Sequence, residues 1–141
     1  MQSEIQDSHH LVLESGDKMP LVGFGLWKVY ANEAADCVYN AIKAGYRMLD
    51  GAHCYENEKA VGEGITRALQ EGICERKDLF IVSKLWNTYH RPEHVRPAVL
   101  RTLKDNNVEY LDLYIVHFPI ALKYVDPEDR YHPGWLYDDK K

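Results

Sequence analysis

The sequence predicts an α/β fold in which parallel strands alternate with helices. Short apolar runs alternate with segments whose apolar residues recur at helical spacing, which is typical of parallel strands joined by right-handed crossovers. Residues 80–82 and 113–116 are almost continuously apolar, as in a sheet covered on both faces. Two architectures fit this pattern: an open, doubly wound sheet and a (β/α) barrel.

Length and composition limit the domain count and the class of protein. The 141 residues support one domain with a hydrophobic core, and the net charge of −5 argues against a basic face for nucleic acid. The polar first ten residues argue against a secretory signal. No apolar run is long enough to span a membrane, so no membrane is expected among its partners. Cys37, Cys54 and Cys74 are odd in number and widely spaced, which favours free thiols in a reducing, cytoplasmic compartment.

The first elements are a hairpin, a strand and a helix. The hairpin is predicted over residues 11–22 with its turn at 15–18, and the first strand of the main sheet covers 21–25. In the helix that follows, apolar residues stand at i, i+4, i+7 and i+8. Asn32 is the predicted N-cap, and Gly45 stands where a left-handed residue closes a helix.

Two more strands and a second helix come next. The second strand covers residues 46–50, and the third covers residues 79–84. Between them, a helix is predicted to be capped by Asn57 and closed by Gly72.

The last predicted elements are a third helix and a fourth strand. Pro92 suits the first turn of this helix, whereas Pro97 falls inside it, so we expect a kinked or late-starting helix. Strand four covers residues 111–117. The Pro-containing segment 118–141 is predicted to be a long loop.

Three of the predicted strands finish on an ionisable residue: Asp50, Lys84 and His117. Taken singly, an Asp at the end of a strand is more often a turn cap, a Lys is more often solvated, and a His more often has a structural role. Parallel strands bring their carboxyl ends to one edge of the sheet, however, and this edge is where active sites form. Tyr55 follows Asp50 closely enough to lean over the same edge. Together, these four residues therefore favour an active site at this edge of the sheet.

A tyrosine, a lysine and a carboxylate form a recognisable acid–base set. A free phenol has a pKa near 10, which is too high for efficient proton donation at neutral pH. An adjacent ammonium group favours the phenolate, and a carboxylate keeps that ammonium charged and in place. A histidine beside them can donate a hydrogen bond to a substrate oxygen.

At these positions the sequence resembles the aldo-keto reductases, and most of all the aldose and yeast-type xylose reductases. Four motifs carry the resemblance: PLVGFGLWKV at 20–29, AGYRMLDGA at 44–52 with the YENEKAVG that follows at 55–62, FIVSKLWN at 80–87, and YLDLYIVHFP at 110–119. The separations of 5 residues from Asp50 to Tyr55, 34 from Asp50 to Lys84 and 33 from Lys84 to His117 also agree with the family. The resemblance implies a (β/α)8 TIM barrel and NADPH-dependent reduction of an aldehyde or open-chain aldose.

The same resemblance implies a role for each residue at the sheet edge. Tyr55 would be the general acid, Lys84 the group that makes it a better acid, and Asp50 the partner of Lys84 near the nicotinamide ribose. His117 would orient the small-molecule carbonyl substrate.

Further residues would line the site. The resemblance implies that the backbone of Gly25, Leu26 and Trp27 lies along NADPH. Trp27, Trp86 and Phe118 would line the substrate pocket together with His117. No metal site is expected, because His90 and His94 lack a third ligand.

The chain departs from the family in length and at one buried position. A full barrel needs about 250 residues. The resemblance therefore implies that residues 1–141 are one partial domain, the N-terminal half-barrel, and that they lack most of the cofactor site. Open edges at strands one and four would favour self-association. The alternative to the reductase is therefore a truncated, non-catalytic half-barrel that acts as a binding or assembly fragment. Asn106 replaces a usually apolar residue, and we expect weaker packing there.

Overall fold

A four-stranded parallel sheet lies at the centre of the computed structural model, which describes residues 9–129. Its strands are β3 (Phe24–Gly25), β4 (Met48–Asp50), β5 (Phe80–Leu85) and β6 (Leu113–Val116). Each strand pairs in parallel with the next along the chain. A doubly wound sheet reverses its strand order at a switch point, whereas a barrel keeps the chain order. The observed order is that of a barrel, of which the chain supplies a part.

A separate hairpin precedes this sheet, and helices connect its strands. The hairpin strands β1 (His10–Val12) and β2 (Lys18–Pro20) are antiparallel, as predicted. The helices are α1 (Ala31–Lys43), α2 (Glu58–Gln70) and α3 (Pro92–Asp105). None of the helices in residues 9–129 has the length and apolar character needed to cross a membrane.

The helix ends confirm some of the predicted signals and correct others. Gly45 and Gly72 follow α1 and α2 with φ of +104° and +69°, the left-handed conformation that glycine adopts without steric cost. The predicted cap Asn32 is wrong, because Tyr30 is the N-cap and Asn32 lies within the first turn of α1. Of the two outcomes expected for α3, a kink or a late start, the late start is wrong. The helix begins at Pro92 and continues through Pro97.

The core lies between the sheet and the first two helices. Its fully buried side chains come from α1, α2 and the central strands, and they include Val38, Ile42, Leu49, Ile65 and Ile81. α1 and α2 pack closely because Gly64 has no side chain; a Cβ atom there would lie 2.5 Å from the carbonyl oxygen of Ala35. This packing fixes α2 against the sheet, and with it the loop that leads into α2.

A buried carboxylate fastens α2 to β5 and α3. Glu58, the first residue of α2, accepts hydrogen bonds from Ser83 Oγ at 2.7 Å and Asn106 Nδ2 at 3.0 Å. Thr102 Oγ1 lies 3.4 Å from its other oxygen. Asn106 therefore does not weaken the packing as expected, because its amide satisfies a buried carboxylate that an apolar residue would leave short of a donor.

The surroundings of Glu58 favour its protonated form. The pKa of its carboxyl is raised from 4.5 to about 7. Burial is the main cause and the nearby Asp105 adds to it, while the hydrogen bonds from Ser83, Asn106 and Thr102 oppose the shift. The folded protein therefore binds a proton here more tightly than the unfolded chain. The stability that this proton contributes is complete below the ordinary pKa of 4.5 and is lost as the pH rises through about 7.

Replacing Glu58 by Gln should remove this pH dependence, because the amide resembles the protonated acid. Relative to the wild-type protein, Glu58→Gln should gain about 3 kcal/mol of unfolding free energy between about pH 4.5 and about pH 8. Chemical denaturation followed by circular dichroism measures this difference. Glu63→Gln, on the exposed side of the same helix, is the control. Equal pH profiles for the two variants would contradict the assignment.

Candidate active site

The structure brings the four predicted residues to the carboxyl edge of the sheet. Asp50 ends β4, Lys84 is the penultimate residue of β5, and His117 directly follows β6. Tyr55 is the last residue of a one-turn 3-10 helix, His53–Tyr55, that follows β4. We call these four residues the edge cluster.

Lys84 stands at the centre of the edge cluster. Its Nζ lies 2.6 Å from Asp50 Oδ1, 2.7 Å from the carbonyl oxygen of Gly51 and 3.4 Å from Tyr55 Oη. Lys84 is only 8% exposed, and a buried ammonium group is tolerated when its three N–H donors find acceptors. The burial of Lys84 therefore accounts for the arrangement of Asp50, Gly51 and Tyr55 around it.

His117 completes the edge cluster from the neighbouring strand. Its ring meets the Tyr55 ring edge to face, with centroids 5.8 Å apart. Burial and the Lys84 ammonium lower the pKa of His117, and the Asp50 carboxylate partly opposes them. The imidazole is therefore neutral at pH 7 and carries one N–H donor and one bare nitrogen.

Two aromatic side chains hold the His117 ring in place. Phe118 stacks on it with a centroid distance of 4.6 Å and an interplanar angle of 4°. Trp86 meets it edge to face at 5.5 Å and also contacts Phe118 at 6.3 Å. Trp86 is 1% exposed. The predicted pocket residues Trp86 and Phe118 thus lie beside the edge cluster.

Trp27 has a different environment. It is 67% exposed on the segment after β3, and its ring lies 4.6 Å from Nζ of Lys28. Its place in a substrate pocket remains a prediction.

The backbone of the segment after β3 lies next to Asp50. Gly25 is paired with Asp50 in the sheet, and the Leu26 N–H donates to the Asp50 carbonyl oxygen at 3.0 Å. A Cβ atom on Gly25 would meet nothing within 4 Å, so this backbone is open to a ligand. The Leu26 side chain is buried in the core, and its main chain is already bonded within the protein, since its carbonyl oxygen accepts from the Asn57 amide at 3.0 Å.

Sequence analysis missed the role of Asn57. It precedes α2 as predicted, but its side chain makes no capping bond. Its amide donates instead to the carbonyl oxygens of Leu26 at 3.0 Å and Val29 at 2.8 Å. Asn57 thereby ties the segment after β3 to the start of α2. Local sequence carries no signal for this, because the acceptors are about thirty residues away.

A second contact also escaped the sequence analysis. Cys54, which immediately precedes Tyr55, has its Sγ 3.4 Å from Nδ1 of His117. Within residues 9–129, no three His, Cys, Asp or Glu side chains are grouped so that they could hold a metal ion.

Several known proteins of similar sequence are named as D-xylose reductases. The chain is 60% identical over 127 residues to the NAD(P)H-dependent D-xylose reductase of Pyricularia oryzae, covering 90% of this chain and 39% of the relative. It is 59% identical over 130 residues to the NAD(P)H-dependent D-xylose reductase of Hypocrea jecorina, covering 92% and 40%. The chain thus spans about 40% of the length of these curated relatives.

A solved structure and a family profile agree with these relatives. The Bombyx mori aldo-keto reductase in complex with NADP superposes with a TM-score of 0.78 at 39% identity, over 85% of this chain and 40% of that one. The profile of the aldo/keto reductase family matches residues 21–135, a range that contains all of the edge cluster. The motifs, the parallel strand order and this match together show that the chain belongs to the aldo/keto reductase family.

Proposed function

We propose that the chain carries the acid–base machinery of an NADPH-dependent reductase that converts aldehydes or open-chain aldoses to alcohols, with Tyr55 as the proton donor. The observation that carries this proposal is the contact of the Lys84 ammonium with both the Asp50 carboxylate and the Tyr55 hydroxyl. The names of the fungal relatives support reduction of D-xylose. Those names give NAD(P)H as the cofactor, so the choice of NADPH over NADH is part of the proposal.

The residues present fit the nicotinamide end of such a cofactor. The Asp50 side chain is partly exposed, and it lies beside Gly25, whose backbone has open space around it. Asp50 and the backbone of Gly25, Leu26 and Trp27 would hold this end of NADPH, which supplies a hydride when bound. The carboxylate can accept hydrogen bonds from ribose hydroxyl groups.

The edge cluster would then handle the carbonyl oxygen of the substrate. Neutral His117 donates a hydrogen bond that orients the carbonyl group, and the Tyr55 hydroxyl gives its proton to the oxygen as negative charge develops there. The Lys84 ammonium, 3.4 Å from Tyr55 Oη, stabilises the phenolate that remains. Asp50 keeps Lys84 in that position.

The substrate would lie against an aromatic wall. Trp86 and Phe118 both contact the His117 ring and would exclude water from the reacting carbonyl. Trp27 would close the pocket from the segment after β3. Such a wall suits the carbon chain of an aldose, whose hydroxyl groups would need polar partners elsewhere.

Tyr55→Phe removes the proposed proton while keeping the ring. In the native protein, turnover of an aldehyde substrate should fall by about a hundredfold or more, the contribution typical of a general acid. The consumption of NADPH measured by absorbance reports turnover, and quenching of tryptophan fluorescence reports cofactor binding, which should be unchanged. Tyr30→Phe, at an exposed tyrosine, is the control. Full turnover in Tyr55→Phe would show that the proton comes from another group.

A second candidate function is that of a binding or assembly fragment. The observation that favours it is the outer edge of the sheet at β6, where Ile115 and Val116 are 40% and 53% exposed. Strand edges with exposed apolar side chains pair readily with other chains. We propose that the 141-residue chain, expressed as such, self-associates through this edge.

Sedimentation velocity of the 141-residue chain tests self-association. We expect species larger than the 16.4 kDa monomer, and a shift toward monomer in Val116→Lys, because a lysine on an edge strand blocks pairing. Lys123→Ala, at an exposed residue beyond β6, is the control. A monodisperse wild-type monomer that melts cooperatively would exclude the self-association.

A further inference from the structure

We propose that the Cys54 thiol is a positioning residue for His117: it donates a hydrogen bond to Nδ1 and so fixes the imidazole as the tautomer with its proton on Nε2. This inference rests on the proposed function, in which His117 must donate a hydrogen bond to the substrate carbonyl. Cys54 itself touches neither substrate nor cofactor in this account.

The contact joins two elements that are far apart in the chain. Cys54 lies in the 3-10 helix His53–Tyr55, and His117 follows β6, yet Sγ and Nδ1 are 3.4 Å apart. A thiol is a weak donor and a weak acceptor, and the basic nitrogen of a neutral imidazole is the stronger acceptor of the two groups. Geometry therefore permits either direction, and the stronger acceptor, the imidazole nitrogen, favours donation from the thiol to Nδ1.

The surroundings keep the proton on the sulfur. Burial raises the pKa of the Cys54 thiol to about 12; Lys84 opposes this shift, and Glu58 and Glu56 add to it. Cys54 is therefore a thiol at neutral pH and has an S–H group to donate.

The imidazole offers the matching acceptor. His117 is neutral because burial and Lys84 lower its pKa more than Asp50 raises it. A neutral imidazole has one bare nitrogen, and the S–H group pairs with it at Nδ1. The ring proton then resides on Nε2. The opposite arrangement, in which Nδ1–H donates to sulfur, would leave Nε2 without a proton and unable to bond a carbonyl oxygen.

The position of the ring does not depend on Cys54. Phe118 stacks on the ring of His117, and Trp86 and Tyr55 meet it edge to face. These aromatic contacts hold the ring plane, whereas the thiol selects which nitrogen carries the proton. Changing Cys54 should therefore alter the tautomer without displacing the ring.

The test compares Cys54→Ser with Cys54→Ala in the native protein labelled with ¹⁵N-histidine. The nitrogen chemical shifts of His117 distinguish the two tautomers at neutral pH. We expect the Nε2–H tautomer in the wild-type protein and in Cys54→Ser, which keeps a donor, and a mixture of tautomers in Cys54→Ala. Cys37→Ala, at a thiol on α1, is the control for loss of a cysteine.

Kinetics provide the second readout. Cys54→Ala should lower kcat/KM for aldehyde reduction by about fivefold, the loss expected from one weak hydrogen bond, and Cys54→Ser should restore most of it. An unchanged tautomer in Cys54→Ala, or a Cys54→Ser variant that matches Cys54→Ala in both readouts, would overturn the proposal. If the wild-type protein does not reduce carbonyls, the proposed function fails, and the nitrogen shifts still decide whether Cys54 sets the tautomer.

Discussion

The burial of one ammonium group determines how this site is built. Lys84 is the penultimate residue of a strand whose residues are all buried, so its charge must be met by acceptors within the protein. The Asp50 carboxylate and the Gly51 carbonyl at the end of the adjacent strand supply two of them, and the Tyr55 hydroxyl lies at a third position. The buried ammonium group of Lys84 needs hydrogen-bond acceptors, and this need explains why a phenol and a carboxylate lie next to it.

One stretch of chain, residues 50–58, supplies two members of the edge cluster and also the polar side chains that anchor it to its neighbours. Asp50 and Tyr55 belong to the edge cluster, Asn57 binds the segment after β3, and Glu58 binds β5 and α3. Cys54, between them, contacts the histidine of the last strand. These residues thus make polar contacts with the segment after β3, with β5 and with the residue that follows β6. A small movement of this stretch would therefore disturb all of these contacts together.

Sequence reasoning found the alternation of strands and helices and the edge cluster because both follow from local pattern. The pattern left the doubly wound sheet and the barrel as alternatives, and only the family resemblance favoured the barrel. Apolar periodicity predicts the elements, and parallel strands necessarily bring Asp50 and His117 to one edge. Sequence reasoning missed the anchoring roles of Asn57 and Asn106 because their partners lie far away in the chain. Asn57 has the sequence position of a cap, yet it bonds a loop about thirty residues earlier, and Asn106 meets Glu58 across 48 residues. A buried polar pair of this kind becomes visible only when the packing is known.

The account depends most on Lys84 and Tyr55 acting as one acid. A double-mutant cycle of Lys84→Met and Tyr55→Phe, measured as single-turnover reduction of an aldehyde by the native protein, tests this directly. If Lys84 acts through the phenol, the double variant should be about as slow as the slower single variant. Losses that multiply would show that the two side chains contribute independently, and they would contradict the assignment of Tyr55 as the proton donor that Lys84 supports.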